Sequence, residues 1–183
     1  RAIGRRQSDL PDKEVSLRLG DGPGPKKTER IVATLDDFQV KATFLRVGEM
    51  AKADPKIARQ VVDAGQSIGS HTCRHADLRK LAVDEAMAEI NRGRDAVRAA
   101  THTDANFFRF PYLSDSGTLR HWVSQNRMVV LDVQTDSKAY FAVSPAAVAT
   151  RTLNTLPRNA HGIILMPDLP HPTASTPPAL LTQ

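Results

Sequence analysis

Short strand-like segments alternate with helical patterns along most of this chain, and that alternation constrains the fold more than any other feature. Segments rich in aliphatic, β-branched or aromatic residues are predicted strands: 15–19, 40–47, 67–70, 107–110, 128–132 and 163–166. Apolar residues at helical spacing predict the helices between them: 28–38, 54–65, 83–100, 119–124 and 145–156. Strands that alternate with helices predict parallel pairing through right-handed crossovers, and therefore one α/β barrel or open sheet.

Length and composition fit one globular domain. The chain has 183 residues, enough to bury a substantial core, and its single cysteine, Cys73, excludes an internal disulfide framework. We expect 1–12 to be a flexible lead-in and 13–183 to form the domain. The sequence contains neither a transmembrane stretch of ~20 apolar residues nor a signal segment, and it assigns no compartment. The net charge of +5 is spread along the chain and aromatic content is only 5%, which argues against a nucleic-acid-binding surface.

Three residues that follow predicted strands are candidate metal ligands. His71 and His75 come after the strand at 67–70, and on a helical turn their spacing would place both imidazoles on one face. Asp21 lies in a glycine–proline turn just after the first strand. Taken separately, such histidines are more often surface or packed residues, and an Asp-Gly pair is more often simple turn chemistry. Two histidines and one carboxylate together form a catalytic metal set that leaves positions open for water or substrate.

Other polar residues near strand ends allow further interpretations. Cys73 beside His75 could form a nucleophile and its base, although the sequence supplies no third group to orient the pair. Arg109, which ends a predicted strand, could be no more than an exposed arginine before a proline. Carboxylates also recur at or just after strand ends: Asp132, Asp136 and Asp168.

Five short segments occur in an order typical of one family. R-L-G-D-G-P at 18–23 corresponds to the motif T-F-D-D-G-P, and H-T-C-R-H at 71–75 matches H-[ST]-x-x-H. R-F-P-Y at 109–112 matches R-x-P-Y, and D-S-K-A-Y at 136–140 aligns with D-S-x-D-[WY]. L-M-P-D-L-P at 165–170 aligns with L-M-H-D-I-H. With these segments the chain resembles the polysaccharide deacetylases, carbohydrate esterases that include chitooligosaccharide and peptidoglycan deacetylases.

The resemblance implies a distorted (β/α) barrel, here truncated at its C-terminus, with a metal site at the C-terminal mouth of the strands. It implies a divalent ion, zinc before cobalt or nickel, held by three ligands: Asp21, His71 and His75. It also implies an N-acetylated amino-sugar polymer as substrate and makes an extracytoplasmic location an expectation.

The same resemblance assigns roles to residues of the third and fifth segments. Arg109 would hold the catalytic base, and the backbone N–H of Tyr112 would stabilise the oxyanion together with the metal. Pro111 and Leu165 would contact the substrate.

The departures from the family pattern fall on the groups that move protons. Gly20 occupies the position of the base, Pro167 that of the acid, and Ala139 that of the aspartate that holds the arginine. None of these replacements can transfer a proton or pair with a charge, so we expect impaired activity. Two later residues could replace the missing acid: Asp168 and His171.

Three hypotheses follow from these residues. The chain is a metal-dependent N-deacetylase with some remaining activity, a degenerate member that binds metal or glycan without turnover, or an α/β domain with a structural metal site. In either of the first two, Arg109 lacks both carboxylate partners, and we expect it to turn to solvent or to Asp132 or Asp136.

Overall fold

The computed structural model describes residues 15–132 and the strand segments 135–136 and 162–167, with side chains described for 18–132. The predicted lead-in 1–12 and the predicted helix 145–156 lie outside the described residues, as do Ala139, Asp168 and His171. In the part of the chain that is described, no helix is long and apolar enough to cross a membrane.

The described chain contains the predicted alternation of strands and helices. The strands are β1 (Val15–Gly20), β2 (Ala42–Arg46), β3 (Ser67–Ser70), β4 (Phe107–Phe108), β5 (Val129–Val130), β6 (Thr135–Asp136) and β7 (Gly162–Pro167). The helices are α1 (Lys27–Asp37), α2 (Gly48–Ala53), α3 (Pro55–Asp63), α4 (Val83–Thr101) and α5 (Gly117–Gln125). All six predicted strands are confirmed, although β2, β4 and β5 are each shorter than predicted. The sequence did not predict α2 or β6, because six and two residues are too few to establish a periodicity.

The sheet is parallel throughout, with the strand order β5-β4-β3-β2-β1-β7-β6. Followed around a ring, this is the chain order from β1 to β7, with an opening between β5 and β6. The α/β fold is therefore a distorted (β/α) barrel, as the sequence predicted. Since every strand runs in the same direction, the residues that follow β1, β3 and β4 meet at one mouth of the barrel.

The two faces of the strands carry different residues. Phe108 packs against α4 and α5 in one apolar cluster, and Ile68 packs against α2, α3 and α4 in another. Because side chains alternate along a strand, the neighbours of these residues point into the barrel. Gly20 and Arg109 lie on this inner face, where a Cβ built on Gly20 would meet the Arg109 guanidinium.

Local sequence explains where the helices begin. Pro55 occupies the first turn of α3, where its missing N–H costs nothing. The Ser116 side chain accepts a hydrogen bond of 3.3 Å from the Leu119 N–H and so caps α5. In α4, Asp84 and Glu85 place negative charge in the first turn, where it interacts favourably with the helix dipole and stabilises the helix.

Candidate metal site

Asp21 begins the site, directly after the last residue of β1. Its φ of 81° is a left-handed conformation that turns the chain away from the strand. Its Oδ1 lies 3.3 Å from Nε2 of His71 and 3.3 Å from Nε2 of His75. Burial alone would raise the pKa of Asp21, but the positive charge of Arg109, 3.7 Å away, opposes it, and the pKa lies well below its usual range. The carboxylate is therefore ionised at neutral pH.

The two histidines lie in a loop, His71–His75, and not on a helical turn. Thr72 has a φ of 65°, so four-residue spacing alone does not bring the imidazoles together. The N–H groups of Gly48 and Glu49, at the start of α2, donate to the carbonyls of Thr72 and Cys73 at 2.9 Å each. The unpredicted helix α2 therefore holds the histidine loop in place.

Helix α4 supports the same loop from the other side. The Glu89 carboxylate is fully buried and accepts a 2.6 Å hydrogen bond from the Arg74 N–H and a 2.8 Å bond from the Arg92 side chain. One turn further along α4, a Cβ on Gly93 would lie only 2.3 Å from the carbonyl carbon of Thr72. Helix and loop can approach this closely because position 93 has no side chain.

His71 is buried and its tautomer is fixed by its surroundings. Its Nδ1 lies 2.8 Å from the backbone carbonyl oxygen of Arg109, which can only accept, so Nδ1 carries a proton and donates it. Burial and the positive charge of Arg109 lower the pKa of His71 to about 4, although Asp21 opposes both effects. At neutral pH the ring is neutral, and its Nε2 presents a lone pair to Asp21.

His75 is oriented by Tyr112. Its Nδ1 lies 3.2 Å from the Tyr112 hydroxyl, and the two rings pack edge to face with centroids 4.8 Å apart. When Nδ1 donates to the hydroxyl, Nε2 is left as a lone pair beside Asp21. The tyrosine side chain is 68% exposed and its backbone has a φ of 58° within the 3₁₀ turn Pro111–Leu113.

The structure brings the three predicted metal ligands together. The ligand atoms of Asp21, His71 and His75 all lie within 4.8 Å of one another. Two imidazole nitrogens and one carboxylate oxygen form a ligand set that suits zinc. No fourth histidine, cysteine, aspartate or glutamate joins this cluster within residues 18–132. The residues present therefore fit a divalent ion.

The expectation that Arg109 turns to solvent is wrong. Arg109 is 4% exposed, and its Nη2 lies 3.0 Å from His71 Nε2 and 3.7 Å from Asp21 Oδ1. Asp132, one of the expected partners, instead receives two hydrogen bonds from Arg120, at 2.6 and 3.0 Å. The side chain of Asp136 lies outside the described residues. The physical reason for the burial is Gly20, whose missing side chain leaves room for the guanidinium.

Arg18 is a site residue that the sequence analysis missed. It is 9% exposed within β1, and its Nε and Nη1 have no hydrogen-bond partner among the described residues. Burial and the nearby charge of Arg109 lower the pKa of Arg18 to about 10, with Asp132 opposing. The spacing along the strand could have indicated this position, because Arg18 stands two residues before Gly20 and therefore lies on the same inner face of β1.

The remaining predicted residues lie close to this cluster in the fold. Pro111 is buried in the 3₁₀ turn that follows Arg109. On β7, Leu165 pairs with Arg18 and Pro167 pairs with Gly20. The positions of the family's base and acid are therefore direct neighbours across the β1–β7 ladder.

The geometry does not favour Cys73 as a nucleophile. Its side chain is only 5% exposed, and burial together with the negative charge of Glu89 raises the pKa of the thiol. A reactive cysteine requires the opposite, an accessible thiol with a lowered pKa.

Comparison with known sequences identifies the family. The sequence model of the family described as polysaccharide deacetylase matches residues 7–131, well over half of the chain. The chain belongs to the polysaccharide deacetylase family. It is 28% identical over 145 residues to a peptidoglycan-N-acetylglucosamine deacetylase of Bacillus cereus, covering 79% of this chain and 53% of that protein. It is 27% identical over 146 residues to the peptidoglycan-N-acetylmuramic acid deacetylase PdaC of Bacillus subtilis, covering 80% and 31%. The chain thus spans about half the length of the first relative and less of the second.

Solved structures share the fold. A family 4 carbohydrate esterase from Streptomyces lividans in complex with acetate superimposes with a TM-score of 0.84 at 26% identity, covering 93% of this chain and 86% of that one. A pseudoenzyme of the same CE4 family from Bacillus anthracis gives a TM-score of 0.87 at 23% identity, covering 93% and 60%. The barrel is therefore found in a pseudoenzyme as well as in esterases, and the fold alone does not establish turnover.

Proposed function

We propose that this chain is a metal-binding polysaccharide deacetylase domain that acts on N-acetylated amino-sugar polymers with impaired proton transfer. The observation that carries the proposal is the convergence of Asp21, His71 and His75 at the mouth of the barrel. The impairment rests on Gly20 and Pro167, which stand side by side where family members carry an acid and a base.

Zinc is the ion that this set of ligands suits best, because zinc accepts imidazole nitrogen and carboxylate oxygen in tetrahedral sites. Cobalt and nickel also accept imidazole and are the alternatives. The ion when bound would act as a Lewis acid, lowering the pKa of water and polarising an amide carbonyl.

The residues of the chain would supply orientation more than proton transfer. His71 is held by the carbonyl of Arg109, and His75 by the hydroxyl of Tyr112, so both Nε2 atoms are directed toward Asp21. The backbone N–H of Tyr112 would donate to the oxyanion that develops from the acetamide.

At the proton-transfer positions the chain offers no titratable group. Gly20 cannot accept a proton from water, and Pro167 cannot deliver one to a departing amine. General acid–base catalysis contributes ~10²–10⁴-fold per group, so the loss of both predicts a very slow enzyme.

The names of the relatives support the substrate class. Relatives are named as deacetylases of peptidoglycan and of chitooligosaccharide, which are N-acetylated glycans. We propose the same class of polymer for this chain and, because peptidoglycan lies outside the cytoplasmic membrane, an extracytoplasmic location.

The test is acetate release from N-acetylglucosamine oligomers, followed by mass spectrometry with zinc or cobalt added. The native chain is compared with a variant carrying Gly20→Asp, Ala139→Asp and Pro167→His. A matched control adds His71→Ala to that variant, which removes a metal ligand and leaves the restored groups in place. We expect the triple variant to release acetate ~10²-fold or more faster than the native chain, and the His71→Ala control to release none above background.

Each other outcome changes a different part of the proposal. Turnover by the native chain as fast as by the triple variant would mean that another group moves protons, with Asp168 and His171 as the first to substitute. Turnover by the His71→Ala control would contradict the metal role of the triad. Absence of turnover in every chain, with metal bound, would contradict deacetylation of this polymer.

A second candidate is binding of metal and glycan without turnover. Gly20 and the burial of Arg109 favour it, since a guanidinium fills the space of the base. Glycan binding by the native chain, with no product even after prolonged incubation, would support this candidate.

A further inference from the structure

Three lone-pair groups converge at the triad, and they need a positive charge between them. Because Nδ1 of His71 donates to the Arg109 carbonyl, its Nε2 is an acceptor, and this atom faces the Asp21 carboxylate at 3.3 Å. Two acceptors at this distance repel each other unless a donor or a cation lies beside both. The side chain of Arg109 supplies that cation, with Nη2 3.0 Å from His71 Nε2 and 3.7 Å from Asp21 Oδ1.

We propose that Arg109 is an internal competitor for the metal, whose guanidinium occupies the His71–Asp21 edge and must leave before an ion binds. This inference rests on the proposed metal site, and it identifies Arg109 as a residue that determines the affinity of that site for a metal ion. In this chain the arginine would weaken metal binding and would no longer serve a catalytic base.

The competition follows from the lone pair of His71. A neutral imidazole has one acceptor nitrogen, and that nitrogen cannot accept from Arg109 and bind a metal ion at the same time. The guanidinium keeps its charge under all ordinary conditions, so it cannot become a neutral neighbour of a dication. An incoming ion must therefore break the hydrogen bond and displace a like charge.

Gly20 makes this arrangement possible. A Cβ at position 20 would lie 2.0 Å from Nη2 of Arg109 and 2.9 Å from its Cζ, closer than atoms can approach. Any side chain at position 20 would force the guanidinium away from its present place. The loss of the base therefore has a second effect, because it lets the arginine reach the metal ligands.

Arg18 also favours the position of the Arg109 guanidinium at the triad. It is buried on the inner face of the barrel, and its charge is close enough to Arg109 for the two to repel each other. Asp21 is the described carboxylate in contact with Arg109, at 3.7 Å. Repulsion from Arg18 and attraction to Asp21 both favour the position at the triad.

The test is the zinc affinity of the purified chain, measured by competition with a chromophoric chelator. Arg109→Met keeps a long side chain but removes the charge and the donors. Gly20→Ala displaces the guanidinium and changes no charge in the chain. The matched control is Arg120→Met, because the contacts of Arg120 are with Asp115 and Asp132. Circular dichroism confirms that each variant is folded.

We expect Arg109→Met and Gly20→Ala each to bind zinc ~10- to 100-fold more tightly than the native chain, the effect of no longer breaking a charged hydrogen bond. Arg120→Met should leave the affinity unchanged. Folded variants at positions 109 and 20 that bind zinc no more tightly than the native chain would overturn the competition and leave the metal site standing. If neither the native chain nor these variants bind zinc in a His71-dependent way, the proposed metal site fails, and the competition fails with it.

Discussion

Gly20 and Pro167 are directly paired across the parallel strands β1 and β7. In family members these two positions carry the base and the acid, so both proton-transfer groups are missing from one place in this chain. Paired residues of neighbouring strands lie on the same face of the sheet. The structure therefore places both missing proton-transfer groups next to each other, at the strand end that Asp21 follows.

This pairing predicts how activity returns. In a chain that already carries Ala139→Asp, Gly20→Asp or Pro167→His alone should raise acetate release only slightly, because the other half of the proton transfer is still missing. The two together should raise it by ~10²-fold or more, beyond the product of the separate gains, because the groups act as a unit. Initial rates of acetate release for the four chains test this, and purely multiplicative gains would contradict it.

The packing of α4 against the histidine loop gives a stability prediction. Gly93→Ala places a Cβ 2.3 Å from the backbone of Thr72, so helix and loop must separate. Overpacking of this kind costs ~1–3 kcal/mol, against a helix-propensity gain of at most ~1 kcal/mol. Urea denaturation should show a net loss of stability, and zinc affinity should fall because the loop carries both histidines.

Gly117→Ala is the matched control for that substitution. A Cβ at Gly117 meets no atom within 4 Å, so only the propensity gain remains. We expect this variant to be at least as stable as the native chain. Equal destabilisation by both substitutions would mean that the close approach at Gly93 does not decide the effect.

Cys73 provides a pH-dependent prediction. Burial, with the charge of Glu89, raises the pKa of the thiol, so the native chain keeps it protonated to higher pH than the unfolded chain does. Stability from the protonated thiol is present below the unfolded pKa of ~8.5 and is lost as the pH rises through the higher folded value. Alkylation at pH 8 should therefore be much slower in the native chain than in urea. Fast native alkylation would reopen the interpretation of Cys73 as a nucleophile.

Much of the fold could be predicted from the sequence because its strands are apolar segments bounded by residues that break regular structure. Segment 67–70 is confirmed residue for residue as β3, and Val83–Thr101 differs from its prediction by one residue. Helix α2 was missed because Gly-Glu-Met-Ala-Lys-Ala has no apolar period. Helix α2 holds the histidine loop through backbone hydrogen bonds, which do not depend on side-chain identity and so could not be predicted from the residue types.

The candidate site was only partly predictable for a related reason. The sequence placed Asp21, His71 and His75 at strand ends, where a parallel sheet brings residues together. It could not indicate where the Arg109 side chain would turn, because that depends on the volume left by Gly20 on β1, which is separated from β4 by two strands of the sheet. Arg18 lies on the inner face because side chains alternate along β1. Its two neighbours in the strand are apolar, so the sequence did not indicate which face of the strand is buried in the barrel.

The proposed function depends on the binding of one divalent ion by Asp21, His71 and His75. The most direct measurement is a zinc titration of the native chain, His71→Ala and His121→Ala, since His121 is an exposed histidine on α5 outside the cluster. We expect one zinc ion per native chain, an unchanged affinity for His121→Ala and a large loss of affinity for His71→Ala. Equal affinities for the two variants would contradict the metal assignment.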